Sequence, residues 1–329
     1  MENLENIPVH PSDSLNGTEY TRSLAEYEAL KGEAALVPHS SRAVLRLAGG
    51  DPVGMLNAVI TNDMPRDGNV GAYAALLNPK GRIQTDLRVL RRGGDILVVT
   101  EEAGTAAAKE SLSRYAPFSR VKLEDLSENE AWGVLGLYGP RAGELLGVPE
   151  LTEHETAEIE VSGARVLAVG VAVPVPGFDL LGTADILRIA GEHLSSVGAK
   201  SASLDAYETI RIEVGIPRFG LDISPENFPA EAGILERAVS FSKGCYPGQE
   251  TVARMHYRGH PNKTLHRIVA TGTSLSPGAP ILQGGRQVGS ITSTAPFPLE
   301  GRFLALGYLS RSAILAAPLQ AGSAAITLA

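Results

Sequence analysis

The sequence predicts an α+β protein: two related α+β domains followed by a small antiparallel β-barrel. Three observations predict it. Strand and helix patterns alternate through the first 242 residues. A strand ending in glycine, followed by a proline-started helix, occurs twice, as Val44-Leu45-Arg46-Leu47-Ala48-Gly49 and as Val134-Leu135-Gly136-Leu137-Tyr138-Gly139. After Asn262 the texture changes to short β-like runs between Gly/Pro turns, with no helix pattern. These readings divide the chain into residues 1–125, 126–242 and 243–329.

The first seventeen residues are polar, with prolines at positions 8 and 11, and read as a loose arm. Thr18 caps a helix over Glu19–Lys31 that Gly32 stops. Ala43–Ala48 is a strand. Gly49-Gly50 turns it, Asp51 caps the next helix, and Pro52 takes its first position. Strands Tyr73–Asn78 and Ile83–Arg92 flank a hairpin turn at Pro79-Lys80-Gly81-Arg82. Asp86 falls in mid-strand near Arg82 and Arg88. Such a carboxylate is ordinarily a surface ion pair worth little. A strand at Ile96–Thr100 and a helix at Gly104–Tyr115 follow, then strands at Val121–Leu126 and Trp132–Tyr138 and a helix to Leu146.

In the second domain Ala164–Val173 reads as a strand and Val175–Asp179 as a turn. Helices follow at Thr183–Ser196 and Ala206–Val214, the latter capped by Asp205 and carrying Tyr207 and Arg211 on one stripe. Residues 218–231 are irregular, and long connections of this kind are usually functional. The barrel strands are Thr264–Ala270, Pro280–Leu282, Gln287–Thr292, Phe303–Leu309, Ala313–Ala317 and Ala324–Leu328. Gln283-Gly284-Gly285-Arg286 is a hairpin signal among them.

Composition excludes several classes. The chain is 43% hydrophobic and 20% charged, as a globular protein is. A net charge of −8 argues against a direct nucleic-acid binder. One cysteine excludes an internal disulfide and an all-cysteine metal cage. His256 and His260 make an HxxxH spacing, but on a strand-like run they do not converge, so no metal site is assigned. No apolar run approaches the roughly 20 residues of a membrane span, and the acidic N-terminus lacks a signal-peptide core. The cytoplasm is the expected compartment.

The most distinctive stretch is Lys243-Gly-Cys-Tyr-Pro-Gly-Gln-Glu250, which holds the only cysteine. Tyr246-Pro247-Gly248-Gln249 has the residues of a type II turn: Pro247 pre-sets φ and Gly248 supplies positive φ. The turn presents Cys245, and a nearby lysine, Lys243, raises the fraction of a thiol that is thiolate. The alternative is a cysteine packed as a small hydrophobe. Residues 251–260 read as a strand with Glu250, Val252, Arg254, His256 and Arg258 on one wet, largely basic face, either solvated or anion-facing.

Lys-Gly-Cys-Tyr-Pro-Gly-Gln-Glu, followed by Val-Ala-Arg-Met-His-Tyr-Arg-Gly, resembles the signature of the YgfZ-like folate-binding proteins. These belong to the superfamily of the glycine cleavage T-protein. Supporting stretches lie at 56–63, 78–87, 211–217 and 228–231. The resemblance implies a cloverleaf of the three units around a central channel that binds tetrahydrofolate or a one-carbon derivative. It implies a role in assembling or repairing iron–sulfur clusters of client enzymes, including tRNA-modifying ones. Cys245 is then the reactive group, beside Lys243, with Tyr246, Gln249, Glu250 and Arg254 matching the motif. Tyr207 falls where family members place an aromatic against folate. A second such aromatic falls near Arg42, which is not aromatic. Arg254 and Arg258 are expected to meet the folate tail, and Asp86 or Glu250 the pterin N–H groups. The related aminomethyltransferases carry paired acids on the strand where this chain has Thr85-Asp86. Two alternatives stand beside this reading: a folate-dependent aminomethyltransferase with Asp86 as acid or base, and a non-catalytic interaction scaffold.

Overall fold

The structure, a computed structural model, describes residues 17–329. The arm expected over the first seventeen residues lies, except for Gly17, outside the described residues.

Helix α1 (Gly17–Gly32) leads into β1 (Ala35–Pro38). A first unit follows: β2 (Arg42–Gly49), α2 (Pro52–Val59), β3 (Ala72–Leu77), β4 (Ile83–Arg92), β5 (Asp95–Glu101), α3 (Glu102–Tyr115) and β6 (Val121–Asp125). After α4 (Leu126–Glu130) the same series recurs: β7 (Trp132–Tyr138), α5 (Ala142–Leu146), β8 (Thr156–Val161), β9 (Ala164–Val171), β10 (Gly177–Thr183), α6 (Ala184–Ser196) and β11 (Lys200–Ser201). Helices α7 (Leu204–Val214), α8 (Leu235–Ala238) and α9 (Gln249–Arg258) connect to β12 (Lys263–Thr271), β13 (Pro280–Gln283), β14 (Arg286–Thr294), β15 (Arg302–Ser310), β16 (Leu319–Ala321) and β17 (Ala324–Leu328).

The internal repeat is a repeat of topology. The first sheet has the order β3-β4-β5-β2-β6, and the second β8-β9-β10-β7-β1-β11. Matched strand for strand, the two orders differ only by β1, which lies antiparallel to β7 and parallel to β11. The N-terminal segment therefore belongs to the second sheet, although it precedes the first in the chain. Its helix α1 packs on α7, where Leu30 and Tyr27 join Tyr207, Ile210 and barrel residues in one cluster. The last six strands close a barrel in the order β12-β15-β14-β13-β16-β17. The expected α+β class with a C-terminal antiparallel barrel is thus the observed one.

Local differences have local causes. The turn expected at Val175–Asp179 is the start of β10, because Gly177 (φ 152°) lets the strand press against β7. A Cβ there would lie 2.3 Å from the Leu137 carbonyl oxygen. Ala313–Ala317 is not a strand. Ala313 N–H to Ser310 O and Ala317 N–H to Ile314 O, both 2.9 Å, close two turns there instead. The cap of α7 is Ser203, whose hydroxyl accepts from Ala206 N, not Asp205. Among the described residues no helix is long and apolar enough to cross a membrane.

The strand expected over 251–260 is a helix. Gly248 takes φ 81°, ψ 0°, Gln249 N–H closes the turn on Tyr246 O at 3.3 Å, and α9 starts immediately. Gln, Glu, Ala, Arg and Met are good helix formers, and a short polar segment with one buried residue, Val252, does not need a sheet. The Cys245 segment packs on the first sheet, not the barrel: Tyr246 and Val252 share a cluster with Ala75, Leu77 and Ile83.

Candidate functional site

Where the two sheets, α7 and the irregular 216–219 segment meet, a cleft holds about 910 Å³ of atom-free space, part of it open to solvent. Strand β4 supplies one wall. With period two, Thr85, Leu87 and Val89 turn into the core, and Asp86 and Arg88 share the opposite face.

Asp86 is 8% exposed, and Tyr73 Oη donates to its Oδ2 at 2.7 Å. Burial pushes this carboxyl up to about 6, against the lowering effect of the Tyr73 bond. Its backbone carbonyl accepts from the Thr100 and Thr85 hydroxyls, which fixes the strand at that point.

Asp179 on β10 faces the same cleft with the opposite charge behaviour. Burial alone would raise its carboxyl. The guanidinium groups of Arg42 and Arg88 override burial and hold it well below the usual carboxylate range. Arg42 Nη1 donates to Oδ2 at 3.1 Å, Arg88 Nη1 also pairs with Oδ2, and Tyr138 Oη donates to Oδ1. His39 Nε2 meets Tyr138 Oη at 2.7 Å, and burial holds that imidazole neutral.

Helix α7 contributes Tyr207, whose ring stacks on Tyr138 with centroids 5.3 Å apart. Its hydroxyl accepts from Arg42 Nη2 at 3.2 Å. Arg42, near which the resemblance expects a second aromatic, is a cation bonded to that hydroxyl. Arg211, from the same helix, reaches Asp222 at 2.7 Å and the Ser293 hydroxyl of the barrel, tying the cleft wall to the third unit. Arg218 Nε pairs with Glu101 at 2.9 Å across the entrance segment.

Of the residues singled out from sequence, Asp86 and Tyr207 line this cleft. Cys245, Lys243, Tyr246, Gln249, Glu250, Arg254 and Arg258 do not. Cys245 is exposed on its turn, as expected. The ammonium of Lys243, however, donates to the Ile60 carbonyl at 2.6 Å, and burial lowers it to about 8. Tyr246 is a packing residue, 6% exposed, whose hydroxyl burial pushes up to about 12. Glu250, Arg254 and Arg258, spaced i, i+4 and i+8, share the solvent side of α9 and form no wall of the cleft; the helix parts them from buried Val252, which a strand would have set on their face. His256 stacks on Phe241 at 4.2 Å, and His260 lies beyond the helix end at Gly259.

Tyr73, Arg88, Glu101, His154, Asp179 and Arg237 also line the cleft, and sequence reasoning gave none of them a role in the site, although it set Arg88 beside Asp86. Two of them carried a signal. Arg88 follows Asp86 by two on a strand, and Asp179 is a carboxylate set in the apolar run Gly-Phe-Asp-Leu-Leu. The others come from separate segments, and only the fold unites them.

A model of the GCVT N-terminal domain matches residues 17–243. The chain belongs to that family. This GCVT-domain chain is similar to an aminomethyltransferase of Rubrobacter xylanophilus, at 27% identity over 300 residues, covering 88% of this chain and 80% of the relative. An aminomethyltransferase of Thermus thermophilus is 29% identical over 308 residues, covering 90% and 85%. Among solved structures, the glycine cleavage system aminomethyltransferase T from Bartonella henselae superposes with a TM-score of 0.80 at 20% identity. That match spans 93% of this chain and 88% of the other, and it establishes a shared fold. The family thus shown is the wider T-protein superfamily; the match does not single out its YgfZ-like branch.

Proposed function

We propose that the cleft binds tetrahydrofolate or a one-carbon derivative and that Asp86 is the acid or base of a folate-dependent aminomethyltransferase-type reaction. The observation that carries this is the Asp86 carboxyl: buried in the wall of a cleft between the two sheets, held by Tyr73, and raised to about 6. A general base works best when its pKa lies near the operating pH. The donor set suits such a ligand. Tyr207 offers an aromatic edge, Asp86 accepts from a heterocyclic N–H, and Arg88 offers a donor. Folate carries its one-carbon unit on the pterin N5, the neighbouring anilino N10 or both; the protein's part is to orient the pterin and to hold or accept a proton at an Asp86 oxygen. The relatives' name, aminomethyltransferase, supports this reading above the iron–sulfur one.

A second reading keeps the exposed thiol in view. Cys245 is presented on a turn outside the cleft, and Thr85 stands where aminomethyltransferases place a second acid. On that reading the cleft binds folate while Cys245 serves iron–sulfur client proteins. One experiment separates the two. Tetrahydrofolate binding and aminomethyl transfer are measured for the wild type, Asp86→Asn and Cys245→Ala. Loss of transfer in Asp86→Asn with Cys245→Ala active supports the first reading. Folate binding with no transfer by any form supports the second. Absence of folate binding overturns both.

A further inference from the structure

Arg88 carries three donor nitrogens into the cleft, and the protein uses two of them. Nη1 pairs with Asp179. Nε donates to Nδ1 of His154 at 3.3 Å. Burial, reinforced by Arg88 and Arg237, holds that imidazole neutral down to about 3, so Nδ1 is free to accept. His154 itself sits at φ 66°, a conformation that costs a non-glycine residue energy and recurs where structure serves a site. Backbone bonds fix it there: its N–H to Gly170 O and its C=O from Gly71 N–H, both 2.9 Å. The third donor, Nη2, is buried and has no acceptor in the protein. A buried donor left without a partner costs about 1–3 kcal/mol. Asp179 and His154 hold the guanidinium in place, with that donor unused.

We propose that Arg88 is a ligand-binding residue whose Nη2 donates to a neutral carbonyl oxygen, the C4 oxygen of a pterin ring. This rests on the folate reading above and deepens it. Three observations choose a carbonyl over a carboxylate. Arg88 is already paired with Asp179, a carboxylate it shares with Arg42. Five arginines and five carboxylates line the cleft, so its wall carries no excess positive charge to attract an anion. Asp86 and Arg88 sit two residues apart on one strand face, about 6.6 Å along the strand. An acceptor and a donor at that spacing match the edge of a fused ring that offers both N–H and C=O. The glutamate tail is left to the solvent side.

The test compares tetrahydrofolate with its 4-amino-4-deoxy counterpart, in which the carbonyl acceptor is replaced by an amino donor. Affinities of both are measured by calorimetry for the wild type, Arg88→Met and Arg88→Lys, with thermal melting as a check on folding. Arg88→Lys keeps a cation for Asp179 and so decides the matter if Arg88→Met does not fold. The expected result is a tenfold or greater loss for tetrahydrofolate and less than a threefold loss for the 4-amino compound. Equal losses for the two ligands overturn the assignment of Arg88 while leaving the folate reading intact. A wild type that binds neither ligand overturns both.

Discussion

The cleft and the cysteine turn are built in opposite ways. The turn is local: eight consecutive residues make it, its glycine does what a type II turn requires, and its side chains face solvent or pack on the first sheet. The cleft is non-local: β2, β3, β4, β5, β9, β10, α7, α8 and four connections each give it one to four residues. The turn has one reactive atom and no enclosure. The cleft has enclosure, fixed dipoles and two carboxylates driven to opposite protonation behaviour. Environments that push titratable groups apart mark acid–base sites. The comparison teaches that a distinctive motif and a ligand site are separate things, even when a family carries both.

The first way to break this contrast is to change Asp86. Asp86→Asn should lower aminomethyl transfer by about 10²–10⁴-fold, the usual worth of a positioned acid or base. Cys245→Ala should leave the rate within a factor of about two. Steady-state assays of the two variants check both. Parity between them would remove the functional distinction.

The second concerns Asp179. Asp179→Leu leaves Arg42 and Arg88 buried without their shared carboxylate and should cost about 3–5 kcal/mol of folding stability in denaturant melts. A loss below about 1 kcal/mol would mean the network is not what holds the cleft.

The third uses pH. The Asp86 carboxyl is raised in the folded state, so the neutral form is the stabilising one. Its contribution is complete below about pH 4 and is lost as pH rises through about 6. Asp86→Asn mimics the neutral form. It should match the wild type near pH 4 and exceed it by up to about 3 kcal/mol near pH 8, because each tenfold change in proton affinity is worth roughly 1.4 kcal/mol. Asp179 has the opposite sign: its contribution is present above the ordinary carboxylate range and is lost as pH falls. Paired melts from pH 4 to 8 check the crossing pattern.

The fourth and smallest effects belong to the turn. Gly248→Ala strains a φ of 81° and sets a Cβ 2.6 Å from the Asn78 carbonyl oxygen, so it should cost about 1–3 kcal/mol. Cys245→Ser, at an exposed position, should stay within about 0.5 kcal/mol. Thermal melts of the two variants measure the difference.

Much of the fold was legible because its signals are local. Pro52 after Asp51, the hairpin at 79–82 and the alternation of β4 each follow from neighbouring residues. The repeat was visible as two short strand–helix stretches and proved to be a repeat of whole sheets. What escaped was non-local. Nothing near β1 says that it will pair with β7, a hundred residues later. Glu250, Arg254 and Arg258 share a face on a strand and, at i, i+4 and i+8, on a helix too, so their polarity alone did not choose between them; α9 begins right after Gly248 at φ 81°. Asp86 was legible as a residue but not as a buried one, since Tyr73 and the second sheet enclose it. Arg42 was visible as a missing aromatic. Its bonds to Asp179 and Tyr207 were not.

The most direct test is a tetrahydrofolate titration of the wild type, Tyr207→Ala and Cys245→Ala, read as dissociation constants. The cleft account predicts unchanged binding for Cys245→Ala and a tenfold or greater loss for Tyr207→Ala. Binding abolished at Cys245 and retained at Tyr207 would contradict it.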